Sequence, residues 1–177
     1  TESGRLMAGT AKNAASIYNM DLVGISYYTS GNSDSIKDAA AAASMNAART
    51  AANTRAREIL SDILTRERLT AIEKSSLEIQ LEKISKSDTL GAIPYDGILF
   101  LGGAADTTSI ASFLRYYGVA ARDARMYGTA MWDGSNITSD ITMSGAKFAA
   151  LPEMSASFTD VYSRVADSAP SHLAALG

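Results

Sequence analysis

The residues best suited to chemistry are Gly103, Ala104, Asp106 and Thr107, just after the apolar run Ile98-Leu99-Phe100-Leu101, together with the pair Trp132-Asp133. Gly102-Gly103 turns the chain with bare backbone where a helix pattern begins, so this turn offers backbone N–H groups, one carboxylate and one hydroxyl. Asp106 and Thr107 read either as caps of that helix or as ligand contacts. The turn lacks the further glycine and the lysine of a P-loop and has no G-x-G-x-x-G spacing, which argues against nucleotide binding. Trp132, the sole tryptophan, reads either as a loop-edge ring that stacks on a ligand beside the Asp133 charge or as a core aromatic next to a solvated turn. His172 is the only histidine, and one histidine builds neither a Ser-His-Asp triad nor a multi-histidine metal site. Without cysteine there is no thiolate ligand or thiol nucleophile. Acidic pairs such as Glu2 with Asp106 or Asp133 suit acid–base work, but nothing in their spacing demands it. The expectation is a chain with no catalytic set, no metal and no cofactor.

These residues need elements to hold them. Gly97 to Leu101 carries no charge or amide, as a strand covered on both faces would, and Ile110, Phe113, Leu114, Tyr117 and Val119 then follow at helical spacing to a stop at Gly118. Upstream, residues 4–19 predict a helix of small and apolar residues, and Asp21 to Tyr28 a strand ended by Thr29-Ser30-Gly31-Asn32-Ser33. From Asp34 to Lys86 no strand signal appears. An alanine-rich helix from Ile36 to about Arg66 and a second apolar stripe, Leu69, Ile72, Leu77, Leu81 and Ile84, predict two long helices folded back on each other, or one kinked helix. Arg66 and Arg68 would lie towards the far end of that hairpin, as partner contacts or as solvated charges. Downstream come a strand Arg125–Trp132, a short helix Ile137–Met143, a strand Ala146–Leu151 and a helix Ala156–Ala166. The fold class expected is α/β: a mostly parallel, doubly wound sheet containing Leu22–Tyr28, Ile98–Leu101 and Met126–Met131, with helices on both faces and a long helical-hairpin insertion at 34–90.

Composition narrows the function classes. With 46% hydrophobic residues in 177, the chain can bury a substantial core. Its net charge is −3 and its basic residues are scattered, so it carries no electrostatic footprint for nucleic acid. No apolar run approaches the ~20 residues needed to span a bilayer. Thr1, which no start methionine precedes, suggests a piece of a longer protein.

Several stretches resemble the second lobe of type I periplasmic binding proteins, the branched-chain amino-acid receptor group. They are Phe148-Ala149-Ala150-Leu151-Pro152-Glu153, Phe158 with Tyr162, the closing Pro170 to Gly177, Tyr95-Asp96-Gly97-Ile98-Leu99, Tyr116-Tyr117-Gly118-Val119, and Tyr127 to Asp133. The insertion, with Leu60, Leu64, Arg66, Leu69 and Ser87-Asp88-Thr89-Leu90-Gly91, is similar to a subgroup of penicillin-binding-protein activators or ligand-binding lipoproteins. The resemblance implies that residues 1–151 form the second lobe and 152–177 a helical segment leading back to a first lobe. It also implies a missing first strand between the first two sheet strands, and a ligand cleft lined by Ser3, Gly103, Ala104, Asp106, Thr107, Trp132 and Asp133. Ser3 stands where amino-acid receptors often carry an aromatic residue. The function implied is non-enzymatic and periplasmic, in a parent anchored to the membrane: regulation of cell-wall synthesis through a cell-envelope protein partner. The alternatives are uptake of a small polar solute or, more remotely, an α/β enzyme.

Overall fold

A computed structural model describes residues 2–66, 68–150 and 154–170, apart from the side chains of Glu2, Ser3 and Thr138. The elements run α1 (Glu2–Ile17), α2 (Ser33–Ala43), α3 (Asn46–Leu64), α4 (Ala71–Ser85), β1 (Gly97–Leu99), α5 (Ala104–Tyr116), β2 (Arg125–Gly128), β3 (Lys147–Phe148) and α6 (Ala156–Ala166). Short 3-10 turns occupy Ala130–Trp132, Ile137–Ser139 and Ile141–Met143. The chain is therefore mixed α/β with a small all-parallel sheet, ordered β1-β2-β3. Gly97 faces Arg125 and Leu99 faces Tyr127 across one pair, and Tyr127 faces Lys147 across the other.

The core lies on the face of this sheet that α5 covers. Ile36 and Ala40 of α2 meet Ile110, Ala111 and Leu114 of α5, and Phe100, Val119, Met126, Trp132, Ile137 and Met143 complete the cluster. Alanine in α2 lets the two helices approach closely, and α2 and α5 form the most extensive helix pair. The 3-10 turns between β2 and β3 also pack on α5, whereas α1 and α6 touch the other elements only sparsely. Among the described residues the core thus joins α2 and α5 to the sheet.

The expected strand Leu22–Tyr28 corrects to an unpaired segment. It lies outside the sheet, and Met20, Leu22, Val23, Ile25 and Tyr27 are exposed. The last strand shortens to Lys147–Phe148, and Leu151 to Glu153 fall outside the described residues. Cover on both faces is not found at Leu99, which is 51% exposed, although its neighbour Phe100 is buried. Gly118 does close α5: its φ is +77°, and the Val119 N–H donates to Leu114 O across the stop.

The helical region also divides differently. The long alanine-rich helix is two, α2 and α3, separated at Ser44-Met45, where Met45 takes a left-handed φ of +52°. The α3–α4 contact is polar at its root: Asn53 Nδ2 donates to Ile84 O and Ser87 O, and Arg57 Nη2 donates to Ser85 O at 2.7 Å. Arg57 thus supplies a donor to Ser85 O at the end of α4, and Asn53 adds to Ile84 O, which also accepts from the Ser87 N–H. Arg49 links the same root to the rest, donating to Gly91 O at 3.0 Å and to Tyr117 O at 3.0 Å.

At its other end, α4 starts with a reciprocal cap. Thr70 Oγ1 accepts from the Glu73 N–H, and the Glu73 carboxylate accepts from the Thr70 N–H at 2.9 Å. The Thr70 backbone N–H and then its hydroxyl hold Glu73 below its ordinary value of 4.5. With the folded pKa depressed, the cap contributes fully above that ordinary value and is lost as pH falls through the folded one. Acidification is therefore expected to shift the NMR signals of the first turn of α4 towards random-coil values. Glu73→Gln, which keeps the acceptor but not the charge, should flatten that acid step.

Candidate functional site

Adjacent parallel strands end on the same side, so the loops after β1 and β2 lie together at the carboxyl edge of the sheet. The loop after β1 carries Gly102 and Gly103 and the first turn of α5, with Ala104, Asp106 and Thr107. The loop after β2 carries Trp132 and Asp133 in the 3-10 turn and its end. A bond joins the two loops directly: Trp132 Nε1 donates to Gly102 O at 3.1 Å.

Asp106 does not cap its helix. Gly103 is the N-cap residue, and the Asp106 carboxylate instead accepts from Ser30 Oγ at 2.5 Å and from the Gly31 N–H at 3.2 Å. The Thr107 hydroxyl donates back to Gly103 O at 2.9 Å, inside the first turn, and the residue is fully buried. Asp106 is thus a clasp that pins the turn after the unpaired segment to the start of α5. Gly31, at φ +72°, supplies a conformation that residues with a Cβ rarely adopt.

Tyr28 completes the cluster. A Cβ at Gly102 would collide with the Tyr28 hydroxyl, so glycine there lets the ring lie against the backbone. Burial, and then the negative charge of Asp106, push the Tyr28 phenol above its ordinary value of 10.0. Its neutral form is favoured in the fold, a contribution complete below that ordinary value and lost as pH rises through the raised one.

Gly103, Ala104, Asp106, Thr107, Trp132 and Asp133 therefore share one edge. Trp132 is fully buried, with ring centroids 6.0 Å from both Phe100 and Phe148, so it is a core aromatic rather than a ring offered to solvent. Asp133 is exposed beside it. Ser3 lies in the first turn of α1, and its side chain is outside the described residues, as is His172. Arg66 and Arg68 are far along the chain from this edge and exposed, with Arg66 paired to Asp62 at 3.1 Å. Among the described residues no three of His, Cys, Asp and Glu gather as a metal-ligating group. No described helix is long and apolar enough to cross a membrane.

Tyr28, Ser30 and Gly31 are the members of the edge that sequence reasoning missed. Their signal was the Ser30-Gly31-Asn32 turn placed directly after an apolar run, the same arrangement that singled out Gly102-Gly103. Asp106→Ala is expected to free the 29–31 turn at a cost of roughly 1–2 kcal/mol, because two bonds to a charged acceptor are lost at a partly exposed position. Faster amide exchange at Gly31 with unchanged exchange in the α5 core would show this local release. Searches against family models, curated proteins and solved structures returned no match to this chain.

Proposed function

We propose that this chain is a non-enzymatic, ligand-binding-type lobe that works at the cell envelope through a protein partner, in a parent anchored to the membrane and regulating cell-wall synthesis. The observation that carries this reading is the α3–α4 pair, taken as a helical hairpin inserted into a doubly wound lobe. It is tied at its root by Asn53, Arg57 and Arg49, and along its length Ile59, Ile72 and Ile79 are 50%, 83% and 64% exposed. Large apolar side chains left open in this way, beside Arg66 and Arg68 near the turn between the helices, support a protein contact. The resemblance of the insertion to activator lipoproteins supports the same role.

Replacing Arg66 and Arg68 together by glutamate in the full-length protein tests it. Pull-down of a cell-envelope partner is expected to be lost while the circular dichroism spectrum is unchanged; unaltered pull-down of every partner would remove the contact role.

The second reading, capture of a small polar solute in a cleft between lobes, is favoured by the Asp106 carboxylate beside Tyr28 at the carboxyl edge of parallel strands, with Asp133 exposed in the neighbouring loop. This lobe supplies one wall of such a cleft, so calorimetry on the chain alone should find only weak binding of free amino acids. A submicromolar dissociation constant would contradict the half-site.

A further inference from the structure

Helices α3 and α4 are bound to each other more firmly than to the rest of the chain. Asn53 donates to Ile84 O and Ser87 O, and Arg57 to Ser85 O, so one helix grips the end of the other. The loop after α4 belongs to the same block, because the Leu90 N–H donates to Arg49 O and Arg49 Nε to Gly91 O, both at 3.0 Å. Among the described residues, by contrast, α3 and α4 meet no element other than each other and α2 more than sparsely. Few contacts across a boundary are what let one part move against another.

Both chain crossings at that boundary carry backbone in the left-handed region. Met45, between α2 and α3, has a φ of +52°, and Gly91, between α4 and β1, has a φ of +93°. Such backbone is uncommon for a residue with a side chain and ordinary for glycine. Hinges are built of a few residues of this kind at the ends of elements, where they absorb changes in φ and ψ. The side chain of Arg49 reaches across the same boundary. Its Nη1 donates to Tyr117 O at 3.0 Å and to Ser44 O at 3.4 Å, the C-cap carbonyls of α5 and α2. The guanidinium therefore sits at the C-terminal ends of both helices, where the helix dipoles favour a cation.

We propose that α3 and α4 swing as one rigid body on the α2–α5 core, with Met45 and Gly91 as the hinge and Arg49 as the latch that fixes the angle. Carbonyls that end two different helices converge on one charge, and α3 cannot turn without drawing that charge away from them. The latch also reaches further than its own bonds. Helices α2 and α5 begin together as well, where Asp106 of α5 holds Ser30 and Gly31 just before α2, so the angle of α3 and α4 is tied to the helices that lead to the carboxyl edge. The swing goes beyond the partner role and does not require it, so the two fail separately.

Distances between paired spin labels test this. The chain has no cysteine, so Ser76→Cys on α4 and Ser112→Cys on α5, both exposed, take the labels without background. The expected result is one narrow distance distribution, which Arg49→Met makes about twice as wide or moves to a second maximum. Two further pairs report whether the parts stay whole: Ser61→Cys with Ser76→Cys inside the block, and Lys37→Cys with Ser112→Cys inside the core, should keep their parent widths. Arg49→Lys, which keeps the charge but loses the planar fork, should give an intermediate width, and it takes the place of the methionine variant if the core pair shows that variant to be unfolded. An α4-to-α5 distribution that neither substitution changes, or that is already as wide in the parent, overturns the proposal. So does widening of the pair inside the block, which would mean that α3 and α4 separate instead of swinging together.

Discussion

Trp132→Ala is expected to destabilise the fold by about 3–5 kcal/mol, the largest effect of any single substitution in the core. The ring is fully buried against Phe100 and Phe148, and its indole N–H is the bond that ties the loop after β2 to Gly102. Removing it leaves a cavity under the sheet and takes from Gly102 O its indole donor, so that the longer 3.5 Å bond from the Thr107 hydroxyl remains. Because a small domain has only about 5–15 kcal/mol in hand, this is a third or more of the stability of a typical one. Urea denaturation followed by circular dichroism measures the change. An unfolding free energy within about 0.5 kcal/mol of the parent would mean that the tryptophan is not the centre of this core.

Gly128→Ala should be the second largest effect, at about 1–3 kcal/mol, and it acts through the same ring. Gly128 ends β2, and a Cβ there would fall on Cδ2, Cε2 and Cε3 of Trp132, closer than real side chains approach. The ring is hemmed in by two phenylalanines and by its own hydrogen bond, so it has no easy retreat. In a Trp132→Phe background, whose ring is smaller, the alanine should cost less. Double-mutant analysis of the two sites is expected to give a coupling of at least ~0.5 kcal/mol, where independent sites would give additivity.

Glycine at 128 shows why part of this molecule was legible in the sequence and part was not. The helical stretches were readable because their period is local: residues 156–166 carry the α6 pattern at the bounds observed, and Gly118 marks the end of α5 by a conformation that few other residues take up. The strand Leu22–Tyr28 was misjudged for the opposite reason. Its apolar, β-branched content is truly strand-like, but a strand exists only with a neighbour, and neighbours are set by the whole topology. The break at Met45 carries no glycine or proline to announce it, so the alanine-rich stretch reads as one helix.

The candidate edge divides in the same way. Gly102-Gly103 was visible because paired glycines after an apolar run punctuate the chain wherever they occur. The role of Asp106 was not, since an aspartate near a helix start is usually a cap, and its actual partners, Ser30 and Gly31, lie 76 and 75 residues away in sequence. The alternatives for Trp132 differ only in whether Phe100 and Phe148 close over it, a matter of packing on both sides of β2 that no spacing encodes.

The pairing of α2 with α5 has a consequence for the order in which the chain can be made. Ile36 and Ala40 find their buried partners in Ile110, Ala111 and Leu114, roughly seventy residues further on. At the ~5–20 residues per second of a working ribosome, the apolar face of α2 waits several seconds before α5 exists. Local helix formation, by contrast, takes about a microsecond. Through that interval α2, α3 and α4 form a helical block with no sheet to rest on, and the arm before them is open along its length. Whatever receives the nascent chain must shield an alanine-rich helix and an unpaired apolar strand until residue 116 has emerged.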